Sequence, residues 1–227
     1  MEDFKFDPVK VKVWGDFACF TRPDMKVERV SYQVMTPSAA RGILSSIFWK
    51  PEFDWVIQKI HVLNPIRHIS IRRNEVKNKI SPQKVKQWMK NKEHDHYYAD
   101  DLENHRTQRN TLALRDVSYI IEANVRLKEH AKNEHPAKYR DQFRRRVNNG
   151  SCYKRPFLGN REFAAFFAPV DGSETAIDYT DQLGRMLFDL NYNIDDERAK
   201  PVFFNAELNN GVLNVPVEKY KEVWRNK

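Results

Sequence analysis

A basic helix near the middle of the chain constrains the fold and the partner more than any other stretch. Residues 136–148 read PAKYRDQFRRRVN, with a proline in the first turn and an Asn-Gly pair directly after the end. Proline suits the first helical position and Asn-Gly stops helices, so both bounds are predicted. Tyr139, Phe143 and Val147 recur every four residues and form one apolar stripe. The helix is therefore predicted to pack by this stripe and to expose its other faces.

Positive charge is concentrated on this helix and on the loop that follows it. Residues 126–161 contain eleven Lys or Arg against three Asp or Glu, and this excess equals the +8 of the whole chain. The rest of the chain therefore sums to zero. Tyr153, Phe157 and Phe163 are interleaved with the later charges. Concentrated cations among aromatic rings are typical of a polyphosphate partner, and a solvated basic helix without a ligand is the alternative.

The length of 227 residues suits one large or two small globular domains with a sizeable core. No stretch approaches the ~18–20 apolar residues of a membrane helix, and the N-terminus lacks the apolar segment of a secretory signal. Cys19 and Cys152 lack metal-ligand spacing and are interpreted as free thiols. We therefore expect a cytoplasmic protein that contacts no membrane.

The first 170 residues predict the order strand, helix, strand, strand, helix, strand. Residues 9–14 alternate apolar and polar side chains, as in a half-buried strand. Thr36 and Pro37 open the first helix, and Pro51 stops it. The second predicted strand has two pieces, residues 55–63 and 66–73, with a bulge or bend at Pro65 between them. The third covers residues 112–127 with a turn at Arg115-Asp116, and the fourth covers residues 161–170. This βαββαβ order predicts an α+β class and a ferredoxin-like (RRM-like) domain.

A very polar segment, residues 74–111, interrupts this first domain (residues 1–170) and is interpreted as an insertion. It contains His94, His96 and His105 together with three aspartates. No predicted helix places two of these side chains on one face and no ligand spacing repeats, so we expect no metal site. The chain also lacks a phosphate-binding Gly-rich loop, a GxSxG motif and a CxxC pair.

The composition changes after residue 170. Short strands are predicted at residues 186–190, 202–208 and 212–215, and Asn209-Asn210-Gly211 is typical of a hairpin turn. Residues 171–227 are therefore expected to form a small antiparallel β domain.

Three stretches resemble a known family. TPSAARGILSSIFWKP, NEHPAKYRDQFRRRVNNG and CYKRPFLGNREFAAFFAP are similar in order and spacing to the CRISPR-associated endoribonuclease of subtype I-C, the d variant of the fifth Cas family. The resemblance covers residues 8–215, and PFLGNREF is its most specific part. It implies a ferredoxin-like domain with a small C-terminal β domain. It also implies a protein that cuts CRISPR repeat RNA without metal or cofactor. Such a protein then stays on the cut RNA as a subunit of a Cascade-type complex, beside its backbone and large subunits.

The resemblance implies a catalytic tyrosine at the end of the first helix and a lysine–histidine pair that opens the basic helix. By position these fall on Phe48, Lys138 and Tyr139. Phe48 has no hydroxyl, and the ordinary pKa of a tyrosine is about 10. His135 is the nearest titrating group that could replace the histidine. Tyr139 is interpreted either as catalytic or as a core residue, and Phe48 is expected at an open position.

Cations of the first helix, the basic helix and its loop are predicted to contact RNA phosphates: Arg41, Lys50, Arg144, Arg145, Lys154, Arg155 and Arg161. The leading hypothesis is a metal-independent endoribonuclease for CRISPR repeat RNA. A subunit that only holds this RNA is the alternative. A metal-dependent nuclease that acts on DNA is a third hypothesis, supported by the basic charge and the histidines of the insertion.

Overall fold

The computed structural model describes residue 4 and residues 6–77, 81–91, 106–192 and 199–224. The strands are β1 Val9–Ala18, β2 Arg29–Val30, β3 Phe53–Val62, β4 His68–Val76, β5 Arg106–Leu127, β6 Phe166–Ala168, β7 Asp181–Asn191, β8 Lys200–Asn209 and β9 Val212–Asn214. The helices are α1 Pro37–Ile47, α2 Pro82–Lys90, α3 Pro136–Asn148 and α4 Tyr220–Val223. Single 3₁₀ turns cover Glu129–Ala131 and Val217–Lys219. This composition confirms the mixed class with a predominantly antiparallel sheet and few helices.

One sheet in the order β6-β1-β5-β3-β9-β8-β7 organises the described residues, and every pair along this path is antiparallel. Strand β5 lies at its centre, since Ile121 stands opposite Val11 of β1 on one side and Ile60 of β3 on the other. β4 pairs with the first half of β5, and the two-residue β2 runs parallel to it. The sheet thus brings distant parts of the chain together through one strand.

Strand β5 begins at Arg106, well before the turn that was predicted at Arg115-Asp116. It is continuous over 22 residues, but Asp116 has a φ of 52°. Aspartate is among the few residues that tolerate this left-handed conformation, so a single residue bends the strand without interrupting it. Before the bend β5 pairs with β4 through Leu114, and after it β5 pairs with β3 from Tyr119. The predicted turn at Arg115-Asp116 is therefore a bend within one strand.

The predicted start of α1 and both predicted bounds of α3 are confirmed, whereas α1 ends at Ile47, before the predicted stop at Pro51. The Thr36 hydroxyl accepts a hydrogen bond from the Ala39 N–H, and Pro37 occupies the first position of α1. Pro136 opens α3 in the same way, and Gly150 ends it with a φ of 62°. Each terminus thus follows from local sequence chemistry.

The core lies between one face of the sheet and these two helices. Val9, Val11 and Val13 of β1 point into it, as the period-two pattern predicted. The predicted stripe of α3 is buried as well, and Phe143 contacts Trp55 of β3 with ring centroids 4.9 Å apart. Arg144 and Arg145 are consequently exposed to solvent, whereas Arg140 is buried and its Nη2 donates to the Asp7 carbonyl at 2.6 Å.

The two arms of a hairpin extend into the predicted insertion. β4 continues to Val76 and β5 begins at Arg106, so paired strands occupy both ends of residues 74–111. Helix α2 lies between them and has no buried residue. The three histidines of the predicted insertion lie outside the described residues.

The C-terminal strands and their turn are confirmed. β8 and β9 are joined by Asn210 and Gly211, whose φ values of 46° and 73° are typical of a two-residue hairpin turn. β9 also pairs with β3, so these strands join the same sheet. The division of the chain at residue 170 stays a prediction.

Candidate active site and nucleic-acid interface

The N-terminus of α3 presents two titrating side chains to solvent. His135 caps the helix, because its Nδ1 accepts a hydrogen bond from the Ala137 N–H at 3.3 Å. Its ring packs edge-on against Phe6, with centroids 5.3 Å apart. The Lys138 ammonium is 2.7 Å from the Glu134 carboxylate, and this hydrogen bond raises the pKa of Lys138. A helix N-terminus favours a negative ligand, and both exposed side chains are available to one.

Tyr139 points away from that surface and into the core. It is 2% exposed, and its ring lies 5.0 Å from Phe53. Its hydroxyl is buried without a hydrogen-bond partner among the described residues. Burial raises the pKa of Tyr139, and the Glu134 carboxylate raises it further. Of the two interpretations made from the sequence, this geometry favours the core residue.

The expectation that Phe48 occupies an open position is wrong. Phe48 is 2% exposed and its ring stacks on Phe53 at 5.7 Å. Its backbone leaves the helix in an extended conformation, and its carbonyl accepts a hydrogen bond from Trp55 Nε1 at 3.1 Å. The Arg146 guanidinium covers the other side, 5.5 Å from the ring centroid. Helix α1 thus ends by turning this ring into the core.

Phe48 and Tyr139, two of the positions at which the family resemblance implies catalytic residues, lie close together because both contact the ring of Phe53. Glu52 lies beside the same group, where its charge acts on the pKa of both Lys138 and Tyr139. Its Oε2 is buried and has no hydrogen-bond partner among the described residues. Sequence reasoning missed Glu52, because no motif marks a single carboxylate after Pro51.

The loop after α3 packs against the C-terminal end of α1. The backbone N–H groups of Tyr153 and Lys154 both donate to the Ser46 carbonyl at 2.9 Å. Arg146 donates to the Ile47 carbonyl at 3.3 Å. The last carbonyls of a helix carry partial negative charge, so these donors and the cation stabilise the contact.

The far end of this loop is fixed to β1. The Cys19 N–H donates to the Leu158 carbonyl at 3.0 Å. Gly159, at a φ of 84°, lies so close to the Cys19 carbonyl that a Cβ at this position would overlap it. Only glycine fits there, which accounts for one residue of the PFLGNREF stretch. Cys19 is buried and Cys152 is exposed, and both are free thiols.

Most cations predicted to bind RNA are exposed on the C-terminal half of α3 and on this loop. We define the basic surface as Lys50, Arg144, Arg145, Lys154 and Arg155, all of which are exposed. Only Arg144 of these has a carboxylate within ion-pair distance in the described part of the chain, Asp141 at 3.7 Å. Arg161 is exposed in the next turn. Loosely held cations of this kind are free to reach phosphates.

Arg41 differs from the other predicted cations. Its guanidinium forms a bidentate pair with Asp189 of β7, with N–O distances of 2.6 and 2.8 Å. The Asp189 side chain is 3% exposed and the Arg41 side chain is 36% exposed, so the carboxylate is buried and the guanidinium is only partly covered. It fastens α1 to the C-terminal strands, which is a structural role. An RNA contact for Arg41 stays a prediction.

Two further properties bear on the chemistry of the site. Within the part of the chain that the structure describes, no group of His, Cys, Asp or Glu side chains is arranged to hold a metal ion. None of the helices described is long and apolar enough to span a membrane.

An antiparallel sheet packed against two helices, with a concentrated basic surface beside them, is typical of a nucleic-acid-binding domain. The family model of the CRISPR-associated protein Cas5, in its Cas5d form, matches residues 9–216, and the chain belongs to this family.

Two relatives resemble almost the whole chain. A protein of Mannheimia succiniciproducens is 46% identical over 225 residues, covering 96% of this chain and 98% of the relative. A protein of Thermus thermophilus is 42% identical over 233 residues, covering 96% and 95%. Both are named CRISPR pre-crRNA endoribonuclease Cas5d.

Two solved structures share the fold. One is a CRISPR-associated protein, with a TM-score of 0.64, 22% identity, and coverage of 92% of this chain and 91% of that one. The other is a functionally uncharacterized protein of Streptococcus mutans, with a TM-score of 0.64, 21% identity and 93% coverage of both chains. At these identities the likeness concerns the fold alone.

Proposed function

We propose that this protein is an endoribonuclease that binds CRISPR repeat RNA and cuts it to produce crRNA. The observation that carries the proposal is the sequence identity of 46% and 42% to two proteins named as pre-crRNA endoribonucleases, over nearly the full length of both. The basic surface supplies the electrostatic attraction that a polyanionic substrate requires.

The proposed architecture is a ferredoxin-like domain of residues 1–170 followed by a small β domain of residues 171–227. The strand order β6-β1-β5-β3 supports the first part. Helix α1 connects β1 to β3, and α3 connects β5 to β6, as the βαββαβ arrangement requires. The polar segment between β4 and β5 is then an insertion in the middle of the domain.

The proposed reaction is an attack by the 2′-hydroxyl of the RNA on the adjacent phosphate, without a metal ion. The O2′–P bond forms and the P–O5′ bond breaks, which leaves a cyclic phosphate and a 5′-hydroxyl. The protein must assist removal of one proton, supply another to the leaving oxygen and stabilise charge on the phosphate. Lys138 is suited to the last task, because it is exposed at the positive end of α3.

His135 is suited to protonate the leaving oxygen. Because its Nδ1 accepts the capping hydrogen bond from Ala137, the neutral ring carries its proton on Nε2. In the protonated ring both nitrogens are donors, so Nε2 can supply a proton to the leaving oxygen while Nδ1 gives up the capping hydrogen bond. Two carboxylates beside Lys138 could accept the proton of the 2′-hydroxyl: Glu134, whose oxygen lies 2.7 Å from the ammonium, and Glu52.

A subunit that only holds RNA is a second candidate function, and one observation favours it. Phe48 has no hydroxyl and the hydroxyl of Tyr139 is buried, so neither position can exchange a proton with a substrate at the surface. Catalysis by this chain therefore depends on Lys138 and His135. Both functions would use the same basic surface to bind RNA, and they differ only in whether the bound RNA is cut.

After cleavage the protein is proposed to stay on the 5′ handle of the crRNA, in the cytoplasm, as a subunit of a Cascade-type complex. The support is membership of the Cas5d family and the resemblance of the basic helix and loop to that family. Backbone and large subunits of the complex are the proposed protein partners. Binding to DNA is a separate hypothesis that the same assay addresses.

The proposal is tested by incubating the purified protein with the repeat RNA of its own CRISPR array in EDTA. A single cut within the repeat supports a metal-independent endoribonuclease. Binding without a cut, with or without added Mg²⁺, supports the holding function. Cleavage of RNA or DNA only when a metal ion is added contradicts the proposed mechanism.

A second measurement locates the RNA. Replacing Arg145, Lys154 and Arg155 with alanine should flatten the slope of log Kd against log salt by ~0.7–0.9 for each phosphate that is no longer neutralised. Lys26→Ala with Lys221→Ala is the control, because both lysines are exposed outside the basic surface. An unchanged slope in the triple variant would place the RNA elsewhere.

A further inference from the structure

Large aromatic rings are exposed around the C-terminal end of α1, where the basic surface lies. Trp49 is 52% exposed, Tyr153 is 67% exposed and Phe157 is 37% exposed. Tryptophan is highly buried on average, so an exposed indole ring two residues beyond Ile47, to whose carbonyl the Tyr153 N–H donates, suggests a contact surface. These rings contribute little to the core of this chain, which leaves their role to be found outside it.

Tyr153 and Phe157 are exposed on a fixed backbone rather than on a loose loop. The Tyr153 N–H donates to the carbonyls of Ser46 and Ile47, at 2.9 and 3.3 Å. Beyond Phe157, the Ala165 N–H donates to the Pro156 carbonyl at 3.0 Å, which closes the loop on itself. A surface held in this way loses little conformational entropy when a ligand binds.

The charges around the rings select the ligand. Residues 149–161 contain three Lys or Arg and no Asp or Glu. The Lys154 ammonium lies 5.5 Å from the centroid of the Tyr153 ring, and Lys50 follows Trp49 directly. Flat rings interleaved with cations are complementary to a strand that alternates flat bases with phosphates. A protein partner for the same patch would need an acidic surface with apolar side chains.

We propose that Trp49 and Tyr153, continued by Phe157, form a platform on which unpaired bases of the RNA stack. This inference rests on the proposed function and specifies which part of the RNA is held. Bases within a duplex are already stacked on their neighbours, so only single-stranded nucleotides can use exposed rings. The platform therefore binds nucleotides outside the paired stem of the repeat, while the cations of the basic surface neutralise their phosphates.

The test measures the affinity of repeat RNA for Trp49→Ala and Tyr153→Ala. Each change should weaken binding by about 5- to 150-fold, since stacking contributes about 1–3 kcal/mol per base and 1.4 kcal/mol is tenfold. The salt slope should stay at the wild-type value because no cation is removed. Trp49→Phe and Tyr153→Phe should retain most of the affinity. Tyr192→Ala removes a comparably exposed tyrosine elsewhere and is the matched control.

A substitution in the RNA gives an independent readout. Abasic nucleotides are placed one at a time along the unpaired flanks of the stem. The abasic position that faces the platform should weaken wild-type binding about as much as Trp49→Ala or Tyr153→Ala does. Combining it with the matching protein variant should cause no further loss, because both changes remove the same contact.

The possible outcomes separate this inference from the proposed function. If the wild-type protein does not bind repeat RNA, the proposed function fails and the platform fails with it. If the wild type binds and both alanine variants bind equally well, the platform is wrong and the function stands. The platform would also be wrong if the loss of affinity in Trp49→Ala or Tyr153→Ala added fully to the loss caused by every abasic substitution. Normal RNA binding together with impaired association of a protein subunit would overturn it as well, since the rings would then contact protein.

Discussion

Tyr139→Phe separates a core residue from a catalytic one. The hydroxyl of Tyr139 is buried without a partner among the described residues, while its ring packs against Phe53. An unsatisfied buried polar group costs about 1–3 kcal/mol, and phenylalanine keeps the ring while removing that group. The variant should therefore be more stable by about 1 kcal/mol or more. For a chain of this size the melting temperature should rise by about 2–4 °C per kcal/mol.

The assay combines thermal unfolding with cleavage of repeat RNA by the same preparation. Cleavage by Tyr139→Phe should match the wild type, because the hydroxyl does not reach the surface. Tyr192→Phe is the control for hydroxyl removal, because Tyr192 is exposed outside the basic surface and this variant should keep the wild-type melting temperature. A fall in melting temperature would show that the hydroxyl has a partner. A drop in cleavage by about 10²- to 10⁴-fold, the usual contribution of a general acid or base, would show that it is catalytic.

Three further outcomes are expected. Arg41→Ala should lower the free energy of unfolding by about 2–4 kcal/mol in a denaturant titration, because it leaves a buried carboxylate unpaired. This loss of stability is smaller than the loss expected on breaking a fully buried ion pair, because the Arg41 guanidinium is partly exposed. The hydrogen bond from His61 lowers the pKa of Glu122 to about 2, so its contribution to stability is present above pH 4.5 and disappears as the pH falls towards 2. Glu122→Gln should remove this acid-dependent loss when unfolding is followed across that range. Lys138→Ala should slow RNA cleavage by about 10²-fold with affinity within a few-fold. Lys132→Ala should leave both unchanged, and equal losses of binding and cleavage would make Lys138 an ordinary phosphate contact.

The sequence predicted those features whose causes are local. Thr36 and Pro37 set the start of α1 whatever packs around it, and the alternation of β1 follows from the pleat of a half-buried strand. The hairpin turn at Asn210-Gly211 is equally local, because those two residues tolerate a positive φ.

Features that depend on distant parts of the chain could not be predicted. Phe48 follows a helix and precedes a cation and a proline, which looks like an open end. Its burial depends on contacts from Phe53 and Trp55, which only the turn into β3 creates. Arg41 looks like any helical cation, and its partner Asp189 lies 148 positions away. The sequence thus sufficed to predict an exposed set of cations, but it could not predict the burial of Phe48 or the ion pair of Arg41.

The bend in β5 has a mechanical consequence for the whole molecule. After Asp116 the strand is almost continuously buried between β1 and β3, whereas before it the burial alternates and β4 covers one edge. Local openings should therefore begin in the β4–β5 arm and stop at the bend, where further separation would expose the core. Amide hydrogens of residues 117–125 of β5 should exchange with solvent only on global unfolding. Those of residues 106–112 should exchange much sooner. A force applied to the β4–β5 arm would therefore act on the hydrogen bonds that pair β5 with β1 and β3. Those bonds would resist it before the helices moved.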